Sequence, residues 1–217
     1  MSKKSFTRRD FLKATGITLG ASTVICTGLG YIATHTIGLD TPGFVFGEEN
    51  TDNKRVLVVY ATRAGSTVEV AATIGEVLGA RGFAVDVQSV KENPKVDGYQ
   101  AVIIGSAVRM GKILPEAIEF AEKQRAALQD ISTAYFTVCL TMKEDTPDNR
   151  KTTEAYLEPL RQIKESITIG LFGGKIDYDT LEPALRLALS QSESTDFPEG
   201  DWRDWDKIRG WAETISA

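Results

Sequence analysis

Short apolar runs alternate with segments of helical periodicity from residue 54 to the C-terminus. Most of the apolar runs are rich in β-branched residues and lack polar alternation, which is typical of strands covered on both faces of a sheet. The pattern predicts five strands, at residues 56–60, 83–87, 101–105, 134–140 and 167–172.

The segments between these strands place apolar residues three and four positions apart, as amphipathic helices do. Gly82 closes the first predicted helix, Pro115 opens the second, and Pro159 starts or kinks the third. Asp201 or Asp204 caps the last helix. The inner faces comprise Val70, Ile74, Val77 and Leu78; Ile118, Ala121 and Leu128; Tyr156, Leu160 and Ile163; and Ile208, Trp211, Ala212 and Ile215.

This alternation of strands and helices predicts an α/β fold, with a doubly wound parallel sheet and helices on both faces. We expect five strands in the order 2-1-3-4-5. Ligands of such sheets bind at the carboxyl ends of the strands, where the chain direction across the sheet switches. The predicted switch lies between the first and third strands, so the loops after them are the first places to look for a site.

An uncharged segment, residues 14–39, precedes this domain, and Arg8 and Arg9 lie just ahead of it. The pattern Thr-Arg-Arg-x-Phe-Leu-Lys is typical of a twin-arginine signal, which the Tat translocase recognises. The alternative is a chance arginine pair. The segment is long enough to span a bilayer. Three outcomes stay open: cleavage near residues 33–39, retention as a membrane anchor, and lipidation at Cys26.

These patterns divide the chain into a signal or membrane anchor at residues 1–38, a linker at 39–53 and one domain at 54–217. The signal predicts an exported, extracytoplasmic protein that folds, and takes up its cofactor, before export. Residues 1–38 hold 5 of the 25 basic and 1 of the 30 acidic residues, so the rest carries a net charge of −9. That balance argues against nucleic-acid binding, which needs a basic face.

Histidine and cysteine are scarce in the domain. The chain has one histidine, His35, and Cys139 is the only cysteine beyond residue 38. The domain therefore lacks the residues for a Ser-His-Asp or Cys-His mechanism, for an ordinary His/Cys zinc site and for an internal disulfide. We predict no metal site, and redox chemistry here would need a bound cofactor.

The loop after the first strand leads directly into a helix. A helix start offers free N–H groups and a positive dipole end, which suit a phosphate, and a glycine permits close backbone approach. The alternative is an ordinary Ser/Thr helix cap. The loop contains neither a Walker sequence nor a dinucleotide fingerprint. It consists of Thr62, Arg63, Ala64, Gly65, Ser66 and Thr67.

This loop resembles the mononucleotide phosphate loop of the flavodoxins. Its Thr-Arg-x-Gly-x-Thr form is most similar to that of menaquinone-dependent protoporphyrinogen IX dehydrogenases and related flavodoxin domains. Three further segments resemble that family in the same order: residues 105–111, 173–178 and 201–205. The resemblance extends from residue 54 to the C-terminus and implies a flavodoxin-like fold that binds FMN.

By this resemblance, Thr62, Arg63, Gly65, Ser66 and Thr67 would hold the FMN phosphate, with Ala64 in the same loop. The segments after the third and fourth strands would flank the flavin ring. The residues implied there are Ser106, Ala107, Val108, Arg109, Met110, Gly111, Val138, Cys139, Leu140 and Lys143.

Arg109 is the candidate catalytic residue. Its open roles are to favour the anionic reduced flavin, to hold a substrate carboxylate, or to form a surface ion pair. We interpret Cys139 as a buried strand residue, and Trp202, Trp205 and Trp211 as helix packing. Neither flanking segment offers the Trp or Tyr that many flavodoxins stack on the flavin. Residues 181–191 are less basic and less hydrophobic than the helix that the protoporphyrinogen enzymes carry before their last segment.

Two functional hypotheses follow. The first is an FMN-dependent oxidoreductase or electron carrier at the outer face of the membrane, exchanging electrons with a quinone or a protein partner. Protoporphyrinogen dehydrogenation is its named enzymatic form. The second is a flavodoxin-fold interaction module that has lost FMN. Flavin absorbance of the natively purified protein distinguishes the two.

Overall fold

A computed structural model describes residues 43–47, 54–166, 168–177 and 199–216. The predicted export signal, most of the predicted linker, Tyr178 and residues 181–191 lie outside these ranges. No helix within the described ranges is long and apolar enough to cross a membrane.

One twisted sheet organises the domain, and its strands follow the order β1-β3-β2-β4-β6-β7. The neighbours from β3 to β7 pair in parallel, whereas β1 adds to the edge of β3 in the antiparallel direction. The strands are β1 Phe44–Phe46, β2 Arg55–Ala61, β3 Ala84–Ser89, β4 Ala101–Arg109, β5 Lys112–Ile113, β6 Ser132–Cys139 and β7 Ile169–Gly173. Strands β8 (Lys175–Ile176) and β9 (Gly200–Asp201) form a separate antiparallel pair.

The helices cover both faces of this sheet, because each face of the central strands carries large apolar side chains. Helices α1 and α6 pack on one face and α2, α3 and α5 on the other. The helices are α1 Ser66–Ala80, α2 Pro115–Lys123, α3 Arg125–Leu128, α4 Pro147–Ala155, α5 Glu158–Arg161 and α6 Trp205–Thr214. Two 3₁₀ turns, Val90–Glu92 and Leu140–Lys143, follow β3 and β6.

The predicted fold class and strand order are confirmed: the five predicted strands are β2, β3, β4, β6 and β7. Pro115 lies at the start of α2, and the side chain of Asp204 caps α6 by accepting a hydrogen bond from Lys207 N. The third predicted helix is divided, since α4 ends at Ala155 and Pro159 lies in the separate short helix α5.

Four strands of the described structure were not predicted: β1, β5 and the short pair β8 and β9. Strand β1 lies inside the segment interpreted as a linker, so the folded domain extends N-terminal to residue 54. Its short run gives a weak pattern, yet Phe44 is buried and stacks beside Phe46, with ring centroids 6.2 Å apart. Strand β5 forms because β4 continues past the sheet and turns back on itself at Met110 and Gly111.

An aromatic cluster of Phe136, Phe172 and Trp211 fills the core beneath α6. Gly105 lies opposite Phe136 in the parallel pairing of β4 with β6. A Cβ at Gly105 would lie 2.0 Å from Cζ of Phe136, so only glycine leaves room for this ring.

We expect Gly105→Ala to lower the free energy of unfolding by about 1–3 kcal/mol, because the added methyl group overpacks the aromatic cluster. Denaturant-induced unfolding measures the effect. Gly210→Ala is the control: this glycine lies on the exposed side of α6, and an added Cβ meets no heavy atom within 4 Å. There we expect no loss, or a gain of about 0.5–1 kcal/mol from helix propensity. Equal losses in both variants would contradict the packing role of Gly105.

Candidate functional site

The loop between β2 and α1 stands at the switch point of the sheet, since β2 pairs with both β3 and β4. Gly65 is the N-cap of α1 and has φ +86°, a left-handed conformation that suits glycine. Its N–H donates to Thr62 Oγ1 at 3.0 Å, which closes the loop. A Cβ at Gly65 would meet nothing within 4 Å, so the space in front of the helix start is open.

The first turn of α1 carries donors that the fold does not use. The N–H groups of Ser66 and Thr67 stand at the start of the helix, where no intrahelical acceptor reaches them. Thr67 is fully buried, and its Oγ1 has no hydrogen-bond partner in the described part of the chain. A buried hydroxyl without a partner costs about 1–3 kcal/mol, which predicts a role beyond folding. These features fit an oxyanion at the helix start, with Ser66 at its surface and Thr67 behind it.

The side chain of Arg63 is directed elsewhere. It forms an ion pair with Glu116, in the first turn of α2, and both side chains are less than a third exposed. The second oxygen of Glu116 is buried and has no partner among the described residues. Arg63 thus connects the loop between β2 and α1 to the opposite layer of helices. The resemblance assigned Arg63 to the phosphate, but in this structure its guanidinium is committed to a carboxylate.

The segment after the third predicted strand is a β-hairpin. Ser106 is fully buried; its hydroxyl donates to Ala107 O at 2.8 Å and accepts from Leu114 N at 3.0 Å. The hydroxyl thus acts as a donor and as an acceptor, and both hydrogen bonds hold the base of the hairpin. Val108 and Arg109 pair with β5, and the turn residues Met110 and Gly111 have φ values of +52° and +72°.

The tip of this hairpin is exposed. Met110 is 93% exposed, and Arg109 lies opposite Lys112, so two cations flank an apolar side chain. Arg109, unlike the other arginines of the described ranges, makes no hydrogen bond or ion pair there. The surface ion pair considered for Arg109 is therefore absent from the described structure, which leaves its guanidinium available to a ligand or partner.

The segment after the fourth predicted strand begins with buried Val138 and Cys139 and continues as the 3₁₀ turn that starts at Leu140. Cys139 Sγ lies 3.7 Å from Thr153 Oγ1, in agreement with the interpretation of Cys139 as a buried strand residue. Lys143 is exposed, and its Nζ lies 4.9 Å from the centre of the Trp202 ring.

Tyr156 packs against the core, as its spacing on the inner face of a helix predicted, but it also contacts the candidate site, which its spacing did not indicate. Its hydroxyl lies 3.4 Å from Thr141 Oγ1, and its ring edge would lie 3.9 Å from a Cβ at Gly111. Tyr156 therefore lies between the two segments expected to flank the flavin. No local sequence signal marks this position, since it depends on the break between α4 and α5.

Arg203 was also missed, although its motif, residues 201–205, was recognised. Its side chain is 3% exposed and pairs with Asp201 at 2.6 Å and with Glu69 of α1 at 3.1 Å. The guanidinium also donates to Ser66 O at 3.4 Å. Burial opposes ionisation of both Asp201 and Arg203, but their mutual hydrogen bonds and charges prevail. The pKa of Asp201 is lowered and the pKa of Arg203 is raised.

The three tryptophans occupy different environments. Trp211 lies in the aromatic cluster beneath α6, as expected for helix packing. Trp205 covers the guanidinium of Arg203, with 4.6 Å from Cζ to the ring centre. Trp202 is fixed by glycines, since a Cβ at Gly200 would lie 2.7 Å from its ring and one at Gly173 would lie 2.1 Å from its carbonyl oxygen. With Lys143, it forms one edge of the candidate site.

Comparison with known proteins gives consistent results. The chain is 24% identical over 173 residues to protoporphyrinogen IX dehydrogenase (quinone) of Escherichia coli strain K12, which covers 75% of this chain and 94% of that protein. Among solved structures it resembles rubredoxin oxygen:oxidoreductase of Desulfovibrio gigas, with a TM-score of 0.50 and 17% identity over 75% of this chain. The match spans 35% of that longer chain.

A second solved structure, oxidised flavodoxin 1 of Bacillus cereus, matches 75% of this chain and 99% of its own, with 13% identity and a TM-score of 0.46. The family model of the flavodoxin domain matches residues 57–194. Because that match spans well over half of the chain, this protein belongs to the flavodoxin domain family.

Proposed function

We propose that the domain binds one FMN and acts as an oxidoreductase or electron carrier. The observation that carries the proposal is the start of α1, where Thr67 Oγ1 is buried without a partner among the described residues, beside the free N–H groups of the first turn. A single phosphate fits this arrangement, because the donors are neutral and converge on one helix end. Membership of the flavodoxin family supports a flavin as the group that bears the phosphate.

The residues that would flank the flavin ring are assigned from the positions of their segments beside the start of α1. Bound flavin would supply the transfer of one or two electrons. The hairpin of residues 106–111 and the turn Leu140–Lys143 follow the neighbouring strands β4 and β6, so they are placed to flank the ring. The exposed side chains of Arg109, Met110 and Lys143 would contribute charge and apolar cover at its edge. Ser106 would act indirectly, by holding the base of the hairpin.

A quinone is our proposed electron acceptor, with protoporphyrinogen dehydrogenation as the named enzymatic form. The support is the likeness to the Escherichia coli enzyme, whose name gives both the substrate and the quinone. A protein partner is the other form of the proposal. Both suit an exposed hairpin tip that presents Met110 between two cations.

We also propose that the protein acts outside the cytoplasm, exported through the Tat translocase and held at the membrane by residues 14–39. The twin arginines and the uncharged segment support this location. Folded export agrees with a cofactor that is bound without a covalent bond and made inside the cell.

Replacement of Thr67 tests the phosphate site. We expect Thr67→Val to weaken FMN binding about tenfold to a hundredfold, because it removes a hydrogen bond to a charged group worth about 1.5–3 kcal/mol. The same change should leave the flavin-free protein equally stable or more so, since it removes a buried hydroxyl without a partner. Fluorescence titration gives the affinity and denaturant unfolding gives the stability.

Thr214→Ala is the control for this test, because Thr214 is an exposed residue of α6 whose hydroxyl donates to Trp211 O within the same helix. Unchanged FMN affinity in Thr67→Val would contradict the phosphate site. A purified wild-type protein that neither contains nor binds flavin would favour the interaction module instead.

Arg109→Ala tests the edge of the flavin. We expect the flavin potential to become more negative by roughly 10–40 mV, the size of a Coulomb interaction of up to about 1 kcal/mol with a partly solvated cation. The unfolding midpoint should not change, because Arg109 is exposed and unpaired in the described ranges. Redox titration and thermal unfolding measure the two effects. Lys123→Ala, which removes an exposed cation from the end of α2, should leave the potential unchanged; equal shifts in both variants would show only a net-charge effect.

Replacement of Arg8 and Arg9 together by Lys tests the location. We expect the flavin-containing protein to be retained in the cytoplasm, because the twin-arginine pair is the recognition element. Protease treatment of intact spheroplasts should digest the wild-type domain and spare the variant. Replacement of Lys3 and Lys4 by Arg keeps the charge and leaves the pair intact, so export should persist. A wild-type domain protected until the membrane is broken would refute export.

A further inference from the structure

Arg203 connects the C-terminal segment to the helix start proposed to hold the phosphate. Its guanidinium contacts Ser66 O at 3.4 Å, Asp201 at 2.6 and 2.7 Å, and Glu69 at 3.1 Å. Trp205 stacks over it, and only 3% of the side chain is exposed. Arginine suits this place because its planar fork bonds several acceptors at once while its face packs on an aromatic ring.

The position of Glu69 indicates that the contacts of Arg203 also affect the charge at the start of α1. Glu69 is the acidic residue of the first turn of α1, the same turn that presents Ser66 and Thr67. A carboxylate there is favoured by the helix dipole, but it repels and competes with a bound anion. Arg203 is the ion-pair partner that the structure gives to Glu69. Without Arg203, a phosphate would approach a helix end that already carries a negative charge.

We propose that Arg203 is a positioning residue that determines selectivity for the phosphorylated flavin. It neutralises Glu69 and draws its carboxylate toward the C-terminal segment, and it holds the carbonyl of Ser66 so that the N–H groups of the first turn face outward. Asp201 fixes the guanidinium by two hydrogen bonds, one each to Nε and Nη2. This proposal rests on the proposed FMN site.

Riboflavin provides the test, because it differs from FMN only in lacking the phosphate. The measured quantity is the dissociation constant of riboflavin divided by that of FMN, for the full-length protein stripped of flavin. In Arg203→Met we expect this ratio to fall about three- to tenfold, the effect of an unneutralised charge at a helix N-terminus. Riboflavin affinity itself should change little. Adding Glu69→Gln to Arg203→Met should restore most of the ratio.

Three further measurements distinguish neutralisation of Glu69 by Arg203 from a role of Arg203 in the fold alone. If Arg203→Met does not fold, Arg203→Lys replaces it, since an ammonium group cannot hold Asp201, Glu69 and Ser66 O together. Arg209→Met removes a partly exposed arginine of α6, whose ion-pair partner is Asp206, and should leave the ratio unchanged. Higher salt should reduce the difference between Arg203→Met and the double variant, because screening weakens the charge of Glu69.

The outcomes are distinct. Equal losses of FMN and riboflavin affinity in Arg203→Met, or no recovery with Glu69→Gln, would show that Arg203 only supports the fold and would overturn the proposal. A wild-type protein that binds riboflavin as tightly as FMN would overturn the phosphate site itself, and the role of Arg203 with it.

Discussion

The candidate site depends on one constraint, the full burial of β2 between two parallel neighbours. Six of the seven residues of β2 are buried, so the strand cannot shift in register or tilt without disturbing both layers of helices. The chain leaves β2 at Thr62, and within four residues it must start α1 on one face while β4 leads to α2 on the other. The loop therefore opens into the gap between the layers, and the end of α1 points its free N–H groups there.

Polar groups at the two ends of the sheet differ in how fully they are hydrogen-bonded. At the amino end, Asp86 accepts hydrogen bonds from Arg55 at 2.9 Å and from the Tyr99 hydroxyl at 2.7 Å. Burial and then Asp86 raise the pKa of Tyr99 to about 12, so the phenol stays a donor. At the carboxyl end, by contrast, Thr67, Glu116 and Thr137 each keep a buried oxygen without a partner among the described residues. The fourth such atom among the described residues, Trp211 Nε1, lies in α6 beside Gly170 near the start of β7. Most of these atoms are therefore at the carboxyl end, as expected where a ligand, and not only the fold, determines the residues.

The sequence predicted the parts of this arrangement that depend on local pattern. Strands β2, β4 and β6 are long apolar runs, and Gly65 followed by Ser and Thr is a recognisable helix start. It did not predict β1, because three residues provide too little periodicity, nor the hairpin, because Met at a left-handed turn position has no strong signal. Nor did it predict that the side chain of Arg63, which the resemblance assigns to the phosphate, pairs with Glu116, 53 residues away. Pairings between distant residues depend on the fold, so local spacing cannot show them.

Dependence on the fold also explains why the sequence did not mark Arg203 and Tyr156 as candidate site residues. Arg203 lies 137 residues from Ser66 and reaches it only because α6 packs beside α1. The cations of the candidate site then fall into two classes. Arg63 and Arg203 pair with carboxylates and are 27% and 3% exposed, whereas Arg109, Lys112 and Lys143 are exposed on the segments that follow β4 and β6. Buried pairs fix geometry and add little net charge. Exposed cations on a domain of net negative charge instead attract an anionic ligand or partner to one place. In the proposed FMN site, neutral donors with their neighbouring charges cancelled would therefore hold the phosphate, while the residues around the ring would present charge to a partner.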